Sequence, residues 1–119
     1  MWVYEKRLQF PVNIKRPDPK AAQIIISQYG GPDGEMGASM RYLSQRYSMP
    51  DNKVAGLLTD IGTEELAHLE IVATMVHQLT RNLTPEQIMN SGFAPYYTDH
   101  TVGVWPQAAG GIPFNACEF

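Results

Sequence analysis

The sequence predicts an all-α chain: a helical hairpin, half of a four-helix bundle, with an extended N-terminal arm and a coil-rich C-terminal tail. Three observations carry that expectation. An apolar seam of helical period runs through the middle of the chain. Glycine and proline clusters divide the stretch before it into short segments. The two ends, rich in proline, glycine and aromatics, lack the period altogether.

Residues 1–18 form the arm. Leu8, Phe10, Val12 and Ile14 alternate loosely, and Pro11 and Pro17 oppose a helix. The helical core is expected over residues 19–80. Asp18-Pro19 opens a first helix, a capping side chain followed by proline at the first helical position, which should run to about Tyr29. Gly30-Gly31-Pro32 breaks it. A second helix restarts near Pro32, continues to about Tyr47, and is stopped by Ser48-Met49-Pro50-Asp51.

The third helix, from about Asn52 to Thr80, is the most legible. Val54, Leu58, Ile61, Glu65, His68, Val72, Met75 and Leu79 lie alternately four and three residues apart, a seam of 3.5-residue period. Its short connection predicts antiparallel packing on the second helix. Residues 81–119 form a short helix opened by Thr84-Pro85 and then coil, with a short strand expected at Val102-Gly103-Val104-Trp105. The 119 residues make one domain.

Hydrophobic residues are 44% of the chain and charged residues 18%, a balance that supports a packed core. A formal net charge of −3, with the basic residues scattered, opposes nucleic acid as a partner. Cys117 is a single cysteine, so no intrachain disulfide forms, and an intracellular, reducing setting is expected. The start has no apolar signal core, and no apolar run has the length of a membrane span.

The two polar members of the seam are Glu65 and His68. An unpartnered charge in an apolar stripe costs several kcal/mol or more, so Glu65 needs a proton, an ion pair or a cation. His68 lies one turn further on the same face. Two readings stand side by side: a Glu-x-x-His ligand pair of a dimetal bundle, or a buried Glu–His ion pair. On the second helix, Glu35 sits among the small residues Gly34, Gly37, Ala38 and Ser39, which would let a neighbouring helix approach. It reads either as a ligand or as a first-turn glutamate favoured by the helix dipole. Tyr42 shares its face two turns on and could donate a hydrogen bond to a carboxylate. His77 falls off the seam and should face solvent. His100 and Cys117 read as ordinary residues of the tail, and Met36, Met40 and Met75 as core filling.

Three blocks, Gln28-Tyr29-Gly30-Gly31-Pro32-Asp33-Gly34-Glu35, Arg41 to Tyr47, and Asp60 to Glu70, resemble the manganese catalases. The opening Met1-Trp2-Val3-Tyr4-Glu5-Lys6 is similar to the CotJC-like, spore-coat branch of that family. The resemblance implies a ferritin-like four-helix bundle holding two manganese ions that convert hydrogen peroxide to water and oxygen. Glu35 would be a terminal carboxylate ligand, Glu65 would bridge the ions, His68 would ligate one of them, and Tyr42 would hydrogen-bond the terminal carboxylate. Oxygen and imidazole donors also suit iron. Family members carry a second helix pair with a further glutamate and histidine ligand and an acid–base glutamate, so the expectation is three ligand positions in this chain. It is also that the chain is not a stable monomer: an uncovered seam marks an association surface, most simply a two-fold dimer. Other spore-coat proteins are further partners the resemblance implies, and a non-catalytic coat protein that keeps the fold is the alternative function.

Overall fold

The computed structural model describes residues 3–31 and 33–93. Among them are four α-helices and no strand: α1 (Pro19–Ile25), α2 (Glu35–Gln45), α3 (Asn52–Thr80) and α4 (Pro85–Met89). The expected strand at 102–105, His100 and Cys117 lie outside the described residues.

Each helix start follows from its capping chemistry. Asp18 accepts from the backbone N–H groups of Lys20 and Ala21, and Pro19 takes the first position of α1. Asp51 caps α3 through the Lys53 N–H. Thr84 and Gln87 form a reciprocal capping box on α4. α2 begins later than expected, at Glu35, because Gly34 holds the cap position in an extended conformation with no side-chain cap. The turn before it needs its glycines. Gly31 has φ +84°, and a Cβ on Gly34 would lie 2.6 Å from the Gly30 carbonyl oxygen. α1 and α2 both end earlier than the sequence suggests. α1 tightens into a 3-10 turn at Ile26–Gln28 and α2 into one at Arg46–Ser48.

α2 and α3 pack antiparallel as expected: Glu35 meets His68, Ser39 meets Gly62, and Arg46 donates to the Thr59 hydroxyl at 3.3 Å. The seam of α3 is covered unevenly. Val72 and Leu79 are buried, Leu58, Ile61 and Met75 are half-buried, and Val54 is exposed. Cover at the Leu79 end comes from α1 and from Phe93, which form one apolar cluster with Ala22. Met36 and Met40 do not fill a core, contrary to expectation. They are 43% and 66% exposed. The reason is helical phase: Glu35, Ser39 and Arg46 turn toward α3, and positions one residue later point about 100° away.

The arm has no regular structure but is fastened to α3. Gln78 donates from Nε2 to the Val12 carbonyl at 2.8 Å and accepts from the Ile14 N–H at 2.7 Å. Arg81 donates to the Ile14 carbonyl at 2.7 Å, and Gln9 to Glu64 at 2.7 Å. The Gln78 amide thus serves a backbone segment as a neighbouring strand would. Gln78→Ala leaves a half-buried N–H and C=O without their partner, and is expected to cost about 1–3 kcal/mol. Urea denaturation checks this, and an unchanged midpoint would show that Gln78 does not hold the arm.

Candidate metal centre

Glu35, in the first turn of α2, faces Glu65 and His68, which lie one turn apart near the middle of α3. His68 Nδ1 is 2.8 Å from Glu65 Oε2 and 3.6 Å from Glu35 Oε2. One donor atom from each of the three side chains can be chosen so that all lie within 4.8 Å of one another. Glu65 is the most enclosed, with 14% of its side chain exposed, while Glu35 and His68 open partly to solvent.

Two carboxyl groups this close cannot both carry full charge cheaply. Glu35 is held above its ordinary carboxyl value, first by a hydrogen bond with Glu65, then by burial and by the Glu65 charge, with His68 opposing. For Glu65, burial pushes upward, but hydrogen bonds from Glu35 and His68 outweigh it and hold the group below its ordinary value. The surroundings therefore favour the ionised form more at Glu65 than at Glu35. An Nδ1–H tautomer of His68 gives Glu65 a second donor. Hydrogen-bond donors converge on one half-buried carboxyl group, and a cation would supply the same compensation. Two carboxylates and an imidazole are donors that first-row divalent ions accept. The residues present fit a manganese ion on that ground.

The structure brings Glu35, Glu65 and His68 together. Tyr42 is half-buried on α2 beside Gly62, and among the described residues no hydrogen bond joins its hydroxyl to either carboxylate. His77 is exposed. One pair escaped the sequence reading. Ser39 is the buried polar side chain of α2, 2% exposed, and its hydroxyl donates to the Gly62 carbonyl at 2.6 Å. The signal was a glycine in the interior of a long helix, which costs about 1 kcal/mol relative to alanine unless something must approach closely.

Comparison with known proteins shows the family. The family described as Manganese containing catalase matches residues 1–116. This chain belongs to the manganese catalase family. Protein CotJC of Bacillus subtilis is 54% identical over 98% of this chain and 61% of its own length. A probable manganese catalase of Clostridium acetobutylicum is 37% identical over 77% of this chain and 42% of its own length. The crystal structure of KatB, a manganese catalase from Anabaena, superposes with a TM-score of 0.71 at 28% identity, covering 98% of this chain and 52% of that one. The all-α, ferritin-like hairpin expected from the sequence is thus the manganese catalase fold. The chain spans about half the length of the manganese catalases it matches. Among the described residues, no helix is long and apolar enough to cross a membrane.

Proposed function

We propose that this chain supplies half of the ligand set of a dimanganese site that disproportionates hydrogen peroxide to water and oxygen. Glu65 would serve as the bridging carboxylate, Glu35 as a terminal carboxylate, and His68 as the imidazole ligand of one ion. The observation that carries the reading is the convergence of one donor atom from each of these three side chains within 4.8 Å of one another. Glu65 lies between Glu35 and His68, which favour its ionised form. A bound cation would favour the ionised form of Glu35 as well, so metal binding would compete with protonation of this carboxyl. His68 turns Nδ1 toward both carboxylates. Two manganese ions, each changing by one unit, would supply the two electrons that peroxide dismutation takes up and returns.

Three ligands do not close a dimetal site. The missing carboxylates and imidazole come from a second helix pair, either in a longer polypeptide or in a second copy of this chain. Two hairpins related by a two-fold axis would bring four carboxylates and two imidazoles, the set such bundles use. Exposed Met36, Met40, Val54 and Leu57 on α2 and α3 support association through this part of the hairpin.

The likeness to CotJC favours a second reading, a spore-coat assembly protein that keeps the fold and the metal group without turnover. One set of measurements separates these. Manganese and iron content per chain is determined together with mass in solution and oxygen release from peroxide. A dimer with two manganese ions is expected. Oxygen release then supports the catalase, and its absence the coat protein. A monodisperse monomer with a cooperative melt overturns the dimer. A chain that binds neither metal overturns the site.

A further inference from the structure

We propose that the Ser39–Gly62 hydrogen bond is the positioning joint of this centre, fixing the register of α2 on α3 so that Glu35 arrives beside Glu65 and His68. The proposal rests on reading those three residues as ligands. Glu65 and His68 belong to one helix, and helical geometry alone keeps them neighbours. Glu35 comes from another helix, so its place depends on how α2 slides and turns against α3.

Ser39 is where that freedom is removed. Its side chain is 2% exposed, and its hydroxyl donates to the Gly62 carbonyl at 2.6 Å, a short bond for neutral partners. The Gly62 carbonyl lies inside α3, where one lone pair serves the helix and the second remains for Ser39. The bond is possible because Gly62 has no side chain. A Cβ there would lie 2.9 Å from Leu43 Cγ and 3.1 Å from Tyr42 Cβ. The glycine lets the helices touch and the serine locks the touching point.

The joint is close to the ligands on both helices. Glu35 precedes Ser39 by four residues and Glu65 follows Gly62 by three, so in antiparallel helices the three carboxylate and imidazole groups lie on the same side of it. The axial offsets are about 6 Å on α2 and about 4.5 Å on α3. A slip of one residue would move Glu35 by about 1.5 Å along α3, beyond the ~0.5 Å tolerance of a ligand constellation. The Ser39 hydroxyl is spent on the Gly62 carbonyl and not on a candidate ligand. It acts through the helix that carries Glu35.

The test compares the 119-residue chain with Ser39→Ala and Leu79→Ala. Leu79 lies in the apolar cluster at the far end of α3, and its truncation loosens the fold without touching the joint. Two readouts are taken where melts show each variant folded. One is the dissociation constant for manganese(II). The other, free of metal, is the set of nuclear Overhauser contacts between the His68 ring and the Glu35 γ protons. Ser39→Ala is expected to lose these contacts and weaken manganese binding about tenfold or more, as outer partners of ligands do. Leu79→Ala should keep both despite a lower melting temperature. Contacts retained in Ser39→Ala overturn the proposal, as do losses that track melting temperature equally in both variants. A wild type that shows the contacts but binds no manganese refutes the ligand reading alone, and the contacts still decide the joint. A wild type without the contacts refutes both.

Discussion

Glu65→Ala is expected to weaken manganese binding at least ~100-fold, because loss of a ligand should exceed the 10–100-fold cost of losing a ligand's outer partner. His77→Ala should leave binding unchanged. Both residues lie on α3, but Glu65 is enclosed and bonded to Glu35 and His68, while His77 is exposed. Titration with manganese(II), following the free ion by electron paramagnetic resonance, reads the difference directly. Equal affinity in the two variants would remove Glu65 from the ligand set. The metal-free chain gives an independent check. There Glu65 is a carboxyl group held in a mostly apolar stripe, with Glu35 and His68 as its polar neighbours. Replacing such a group by an apolar side chain of similar size is often neutral or stabilising. Glu65→Leu should therefore raise the melting temperature of the metal-free chain while abolishing the metal's own stabilisation. A variant that is less stable in both states would mean that the carboxylate is held for structure, not for a cation.

The long helix and the Glu65–His68 pair were legible because they share one signal. An interrupted apolar period marks both the helix and the residues that interrupt it, so α3 and the pairing of Glu65 with His68 follow from spacing alone. Glu35 was harder. A first-turn glutamate has a sufficient local reason to exist, and only tertiary packing shows that it turns toward α3. The Ser39 hydroxyl was less visible still, since a serine among small residues carries no sign of its acceptor on another helix. Met36 and Met40 misled for a related reason: methionines on a short helix look like core until the phase of its contacts is known. The helix ends were misjudged where α1 and α2 tighten into 3-10 turns, because sequence marks a stop by proline or glycine and not by the tightening of the last turn.

Phe93→Ala is expected to cost about 3–5 kcal/mol, the usual range for a buried phenylalanine. The sequence placed Phe93 at the head of a coil tail, yet the structure buries it to 3% exposure against Ala22 and Leu79. Its position is built by the segment after α3. Asn82 turns the chain with φ +59°, α4 follows under its capping box, and the Ser91 hydroxyl donates to the Ile88 carbonyl while accepting from the Phe93 N–H. Phe93 therefore joins α1, α3 and the chain beyond α4 at one point. No large side chain among the described residues is fully buried, so this ring is a large share of the apolar burial there. Phe10, 61% exposed on the arm, is the control, and Phe10→Ala should change stability by about 0.5 kcal/mol or less. Urea denaturation of the two variants decides the matter, and equal midpoints would show that the Phe93 cluster contributes little. The cluster member Leu79 lies three turns beyond His68, about 16 Å along α3. At temperatures where Phe93→Ala is still folded, its manganese affinity should therefore match the parent chain. A fall in affinity there would mean that the two ends of α3 are coupled, and that the centre depends on the packing of α1.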